Sequence, residues 1–169
     1  MKFLIVVDMQ VDFISGSLGS AMAQAIVPYV LEKVKRFDGT VIFTRDTHGA
    51  DYLLTQEGRK LPVEHCVKDS DGWQICKELL PYAQKTVDKV TFGSIELPGV
   101  IRSYGEDIDG IELCGLCTDI CVISNAMLLK AAFPEVRITV DAAACAGVSE
   151  ESHRTALDAM RAVQIEVDA

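Results

Sequence analysis

IDGIELCG (108–115) and VRITVDA (136–142) read as strands, and two further runs, FLIVVD (3–8) and TVIFTRD (40–46), are apolar at successive positions without the strict alternation of a half-exposed strand. Strands buried on both faces read this way, and they belong to parallel sheets covered by helices. Helical spacing fills the gaps between them. Met22, Ile26, Val30, Val34 and Phe37 recur every three or four positions over 20–37. Pro28 places the start of the regular helix near itself, and Asp38-Gly39 mark its end. The pattern predicts further helices over 73–83, 97–104, 118–133 and 149–162, the last opened by Ser149 with Glu150 and Glu151 in its first turn. KTVDKVT (85–91) and VQIEV (163–167) complete the strands, and 47–71 reads as a long polar loop. The alternation predicts one α/β domain over 1–169, with a central, mostly parallel sheet and helices on both faces. In such sheets ligands bind at the carboxyl ends of the strands. Asp8, Asp46 and the 115–121 turn all fall there.

Charge and composition narrow the function. With 25 acidic residues against 16 basic ones the net charge is −9, a surface that repels phosphate backbones and excludes nucleic acid as the expected partner. No apolar run approaches the roughly 18 residues a membrane span needs. The start, MKFLIVVDMQ, lacks a small-residue cleavage site and reads as a strand, so the expected setting is the cytoplasm and the expected partner a small molecule. The six cysteines are an even number, but a chain of 169 residues, 49% of them hydrophobic, builds a core without disulfide staples.

Four groups of residues could carry chemistry. In CGLCTDICV (114–122), Cys114, Cys117 and Cys121 could ligate a metal, although no fourth ligand stands nearby. Cys114 and Cys117 also have the CxxC spacing of thioredoxin-type redox pairs, though Cys114 would point into the sheet's packing. Cys121 falls in the first turn of a helix, where free N–H groups and the positive dipole end favour a thiolate and could hold an oxyanion. A buried apolar cysteine on an amphipathic helix fits the same spacing. Asp8, ending FLIVV, is either a loop cap or a general base. Lys89 alternates with Val87 and either points inwards from a strand end or lies in solvent. Asp46 and His48 stand two apart on one side of an extended strand end, and Glu57 and His65 follow. Two imidazoles with one or two carboxylates suit zinc, iron or manganese; a solvated polar loop reads the same way.

Taken together, VVDMQVDF (6–13), TRDTH (44–48), LPVEHCVKDSDGW (61–73), DKVTFGS (88–94), CGLCTDICV (114–122) and DAAACAG (141–147) resemble the isochorismatase-like cysteine hydrolase family, which includes the nicotinamidases. The motifs keep the family's order and span most of the chain. The resemblance implies a three-layer α/β/α sandwich, homo-oligomeric assembly and no organic cofactor. It implies Asp8 and Lys89 as the catalytic aspartate and lysine and Cys121 as the nucleophile. The backbone N–H groups of Cys117 and Cys121 would form an oxyanion hole beside a cis Leu116–Cys117 peptide. Phe13 and Phe92 match substrate-pocket walls, and Asp46, His48 and His65 match ligands of a divalent metal. This chain lacks the further histidine that many nicotinamidases carry just beyond the DxH pair, and Glu57 could fill that place. The implied activity is hydrolysis of a small amide to acid and ammonia through a thioester. The alternatives are an isochorismatase-like or ureido/carbamoyl hydrolase of the same family, and a catalytically inactive binding or redox protein using Cys114 and Cys117.

Overall fold

All six expected strands form and pair in one sheet. The computed structural model describes residues 1–168. The strands are β1 (Lys2–Val7), β2 (Thr40–Asp46), β3 (Thr86–Lys89), β4 (Gly110–Leu116), β5 (Arg137–Ala146) and β6 (Glu166–Asp168), in the order β3-β2-β1-β4-β5-β6. Every pairing is parallel. β1 lies between β2 and β4, and Phe3 to Val7 expose no surface, which is why FLIVV is apolar at five successive positions.

The helices are α1 (Val11–Ile14), α2 (Ala21–Arg36), α3 (Gln56–Lys60), α4 (Leu97–Arg102), α5 (Ile123–Ala132) and α6 (Glu150–Ala162). The crossover from β1 to β2 and that from β4 to β5 step in opposite directions along the sheet. Right-handed connections therefore put α1 and α2 on one face and α4, α5 and α6 on the other. α2 packs across β4 and β5, while α5 packs on α4, α6 and β5. The outcome is a three-layer α/β/α sandwich. Strand order reverses between β1 and β4, and the crevice at their carboxyl ends is where sheets of this order bind ligands. No helix among the described residues is long and apolar enough to cross a membrane.

Several segments depart from the sequence expectation. α2 begins at Ala21, where the Ser20 hydroxyl caps Ala23 N–H, and continues through Pro28 without a break. Pro28 and Gln24 both lie on the exposed side, so the carbonyl that loses its helical donor can turn to water. The expected helix over 73–83 does not form; a single 3₁₀ turn at Leu80–Tyr82 takes its place. Its backbone groups are engaged elsewhere: Val11 N–H donates to Gln74 C=O and Cys76 N–H to Met9 C=O, each at 2.9 Å, around a bridge between Gln10 and Ile75. The 47–71 loop contains α3 and a 3₁₀ turn at Tyr52–Leu54. The expected 118–133 helix opens with a wide π turn, Thr118–Val122, before α5. The last strand starts at Glu166 because Gln164 turns the chain at φ +67°.

One glycine is dictated by the packing of the sheet. β4 keeps regular register with β1 as far as Val7 opposite Gly115, while the shift between β4 and β5 at Leu113/Gly115 puts the extra residues in β5. Gly115 has φ +116°, and a Cβ would sit 2.2 Å from the Val7 carbonyl oxygen. Gly115→Ala should cost about 3 kcal/mol or more, from left-handed backbone and backbone overlap together. Urea unfolding measures it, and a loss under about 1 kcal/mol would mean that β1 and β4 separate easily.

Candidate active site

Four strand ends bring the site together. Asp8 follows β1 at φ +47°, which turns its carboxyl back over the sheet. Thr44 lies in β2, Lys89 closes β3, and Cys121 stands in the π turn after β4. Asp8, Thr44, Lys89 and Cys121 are all buried. Lys89 Nζ lies 2.6 Å from Asp8 Oδ2, 3.1 Å from Asp46 Oδ1 and 3.4 Å from Cys121 Sγ. It also donates to Thr91 C=O at 3.0 Å, which fixes where the ammonium stands. Thr44 Oγ1 donates to Asp8 Oδ1 at 2.7 Å. The other oxygen, Oδ2, meets the ammonium as an ion contact but receives no aligned hydrogen bond, leaving it free to accept a proton.

The electrostatics follow from burial. Desolvation pushes the Asp8 carboxyl above its usual range, against the pull of Lys89. Burial also pushes the Cys121 thiol well up, with the Asp8 charge adding to it and Lys89 opposing. A helix start favours a thiolate, but here burial and the neighbouring carboxylate outweigh it, so the resting sulfur keeps its proton. Burial would lower the Lys89 ammonium's pKa, but Asp8, Cys121 and Asp46 together raise it, so it stays charged. A protonated thiol, a carboxylate with raised basicity and a permanent cation in mutual contact can exchange one proton and generate a nucleophile on demand.

The other two cysteines of CGLCTDICV separate from Cys121. Cys114 is fully buried, and burial raises its thiol well above the usual value. Cys117 is half-buried, with a thiol pushed up to about 12 by burial and by Asp119 and Asp8. All six cysteines are free thiols. The Leu116–Cys117 peptide is cis. Ile120 N–H and Val122 N–H both converge on the Cys117 carbonyl, at 3.1 and 3.0 Å, winding the turn so that Cys117 and Cys121 border the same cavity.

Beside this group stand Asp46, His48, Glu57 and His65, one ligand atom from each lying within 4.8 Å of all the others. His48 Nε2 is 2.9 Å from Asp46 Oδ2 and 3.6 Å from Glu57 Oε1. His65 Nε2 is 3.7 Å from both carboxylates. Ligands about 2.1 Å from a shared ion would be about 3.0–3.4 Å apart, so the cluster fits a divalent metal with little adjustment. His65 Nδ1 meets Val63 C=O at 2.8 Å, which leaves Nε2 for the ion, and the Tyr52 ring packs against both imidazoles. Glu57 reaches the cluster because Thr55 caps α3, its hydroxyl accepting Gly58 N–H at 3.0 Å. Burial raises the Asp46 carboxyl, but hydrogen bonds from His48 and His65 and the Lys89 charge outweigh it and hold Asp46 well below the usual range. Two imidazoles and two carboxylates suit zinc, iron or manganese. Glu57→Ala should lower zinc affinity about 10- to 100-fold, read by equilibrium dialysis; unchanged affinity would place the ion elsewhere.

A cavity of about 410 Å³ opens over both groups. Phe13 and Phe92 wall it, and Asp46, Glu57, His65 and Cys121 reach its floor. Of the candidates taken from the sequence, the structure thus brings Asp8, Lys89 and Cys121 beside Asp46, His48, Glu57 and His65 under Phe13 and Phe92, while Cys114 stays apart in the core. Other residues at the site carry no such signal. Gln10 is fully buried; its amide donates to Asp46 C=O at 2.8 Å and its oxygen accepts Asp46 N–H at 2.7 Å, pinning the residue shared by both groups. Asp12 accepts Cys66 N–H at 2.8 Å and steadies the chain beside His65. Thr44 and Asn125 are the other buried polar partners. Gln10, Asp12 and Thr44 lie inside the motifs VVDMQVDF and TRDTH, but no local pattern shows what they hold.

The profile described as Isochorismatase domain matches residues 2–168. An uncharacterized isochorismatase family protein, PncA of Bacillus subtilis (strain 168), is 30% identical over 176 positions and 92% of each chain is covered. The crystal structure of nicotinamidase/pyrazinamidase PncA from Bacillus subtilis superposes with a TM-score of 0.88 at 25% identity, covering 99% of both chains. The pyrazinamidase of Pyrococcus horikoshii in complex with zinc gives 0.86 at 25% identity, covering 98% of this chain and 97% of that one.

Proposed function

This chain belongs to the isochorismatase family of hydrolases, and we propose that it is a cysteine-dependent amidohydrolase of nicotinamidase type, releasing ammonia from a small planar amide. The observation that carries the reading is the position of Lys89 Nζ, in contact with Asp8, Asp46 and Cys121 at once. Asp8 Oδ2 takes the Cys121 proton, and Lys89 balances the negative charge left on the pair. The sulfur attacks the amide carbonyl carbon. The developing oxyanion is held by the backbone N–H groups of Cys117 and Cys121. Asp8 returns its proton to the departing nitrogen, ammonia leaves, and a thioester remains on Cys121. Asp8 then takes a proton from water, which attacks the thioester; the carbon–sulfur bond breaks, Asp8 returns that proton to the Cys121 sulfur, and the acid is released. Phe13 and Phe92 sandwich a flat ring and exclude water from it. Asp46, His48, Glu57 and His65 would hold the divalent ion. When bound, the ion supplies a Lewis-acidic point that orients the substrate's ring, directly or through water.

Ammonia release from nicotinamide, pyrazinamide, ureido acids and N-carbamoyl amino acids, with metal content measured on the same sample, tests the proposal. Nicotinamide or pyrazinamide should lead. Turnover of ureido or carbamoyl compounds alone would move the protein to another branch of the family. Because Asp8 must be ionised and burial raises its pKa, kcat/KM should fall on the acid side with a midpoint above the usual carboxylate value of about 4. An acid limb below that value would remove Asp8 as the base.

A further inference from the structure

Asn125 is buried completely in α5, one turn after Cys121. Its amide oxygen and its amide nitrogen are both engaged. Oδ1 accepts Ser94 N–H at 2.9 Å, and Nδ2 donates to Phe92 C=O at 3.2 Å and to Cys121 C=O at 2.8 Å. The wide π turn explains the last contact. Where a π turn meets an α-helix, side chains can take over carbonyls; Ser124 Oγ does the same for Ile120 C=O at 2.6 Å. Apart from Asn125, Lys89 Nζ holds the segment at Thr91 C=O, and the segment's own side chains add little. Val90 and Ile95 are each 79% exposed, and Phe92 is 42% exposed although it walls the cavity. Ser94, buried, anchors the segment only through Asn125 and through its own hydroxyl, which accepts Leu97 N–H at 3.2 Å.

We infer that Asn125 is a positioning residue that sets where the Phe92 wall stands over the Cys121 thiol, and through that wall governs which molecules reach the sulfur. The inference rests on the proposed function only for the identity of the substrate. With Asn125 truncated, the 90–96 segment loses its hydrogen bonds to α5 and Phe92 swings off the cavity mouth. Asp8 and Lys89 keep their places around the sulfur, because neither touches Asn125; the Cys121 carbonyl loses one donor, and the Phe92→Ala background separates that loss from a movement of the wall.

A double-mutant cycle on the rate of Cys121 alkylation by N-ethylmaleimide, followed by peptide mass mapping, tests this without any substrate. Asn125→Ala should raise the rate about tenfold when Phe92 is present, and by less than about twofold in a Phe92→Ala background, where there is no ring to position. Equal rises in both backgrounds, or no rise in either, would overturn the inference. If Asn125→Ala does not fold, Asn125→Asp decides on the same criteria: it keeps the shape and the acceptor for Ser94 but loses both donors. On nicotinamide, the alanine variant should raise KM about tenfold and leave kcat within about twofold; a fall in kcat alone would count against a role through Phe92. If the unaltered enzyme hydrolyses no amide, the proposed function fails, while the alkylation cycle still decides the role of Asn125.

Discussion

Cys121→Ala should lower ammonia release from nicotinamide on the order of 10⁴-fold or more, while the protein still unfolds cooperatively. Among the described residues, the sulfur is the only atom in the cavity that combines nucleophilic character with a base in contact. Cys117 borders the same space but lacks the Lys89 contact and keeps its proton up to about 12. Deleting one buried sulfur should cost only about 1–2 kcal/mol, a small cavity beside groups that remain paired. Adding Asp8→Asn to the alanine variant should bring no further loss, because a base without its nucleophile has nothing to deprotonate. Ammonia assays and thermal unfolding on the same preparations measure both effects. Activity above about 1% of the parent would place the nucleophile elsewhere.

Lys89→Met should be the most damaging single change to both stability and activity. It removes the ammonium from between Asp8 Oδ2 and Asp46 Oδ1, leaving Asp8 buried without its counter-ion and Asp46 with only its histidine partners. Breaking a buried ion pair by removing one partner costs about 3–5 kcal/mol. The deficit should also depend on pH, in a direction set by Asp8. Burial already raises this carboxyl, and Lys89 is the main influence pulling it down. Without the ammonium its folded pKa rises further above the unfolded value. A carboxyl raised by folding contributes stability below its unfolded pKa and loses it as pH climbs through the folded one. The variant should therefore lie closest to the parent near pH 5 and furthest from it near pH 8, an expectation of direction that urea unfolding at the two values checks. A deficit that shrinks as pH rises would mean that Asp8 does not carry the charge assigned to it. Lys89→Arg keeps the charge, but a rigid planar fork cannot reproduce four contacts made by one nitrogen. It should restore part of the stability and little activity.

The legible and illegible parts of this protein divide by the range of the interactions involved. FLIVV reads as a central strand because burial on both faces needs apolar side chains at successive positions, a demand met within five residues. The same spacing logic fails at 73–83, where apolar residues recur at helical intervals but the backbone groups are bonded to Met9 and Val11. A pattern of side chains does not say which partner the backbone will take. At Pro28 local propensity points to a late helix start. The exposed position of the ring makes the lost hydrogen bond tolerable, and α2 runs on.

Asp8, Lys89, Cys121, Asp46, His48 and His65 can be singled out because reactive types stand at strand ends within recognisable motifs. Glu57 is legible only as a residue that could fill a gap. Its place is decided by the Thr55 cap, which starts α3 and turns the carboxylate toward His48 and His65. Thr44, 36 positions from Asp8, and Asn125, 31 from Ser94, give no sign of what they hold. Hydrogen bonds of that span exist only once the sheet order and the π turn are set.

The run of buried strands, the sign of the surface charge and the reactive groups on offer follow from the order of residues alone. These are properties of single residues and near neighbours, settled by hydrophobicity and charge. That one ammonium meets two carboxylates and a thiol depends on the packing of the folded chain. The same packing keeps that thiol protonated at rest although it stands near a helix start, because desolvation and a neighbouring carboxylate act through space and depend on what the fold places within a few ångströms.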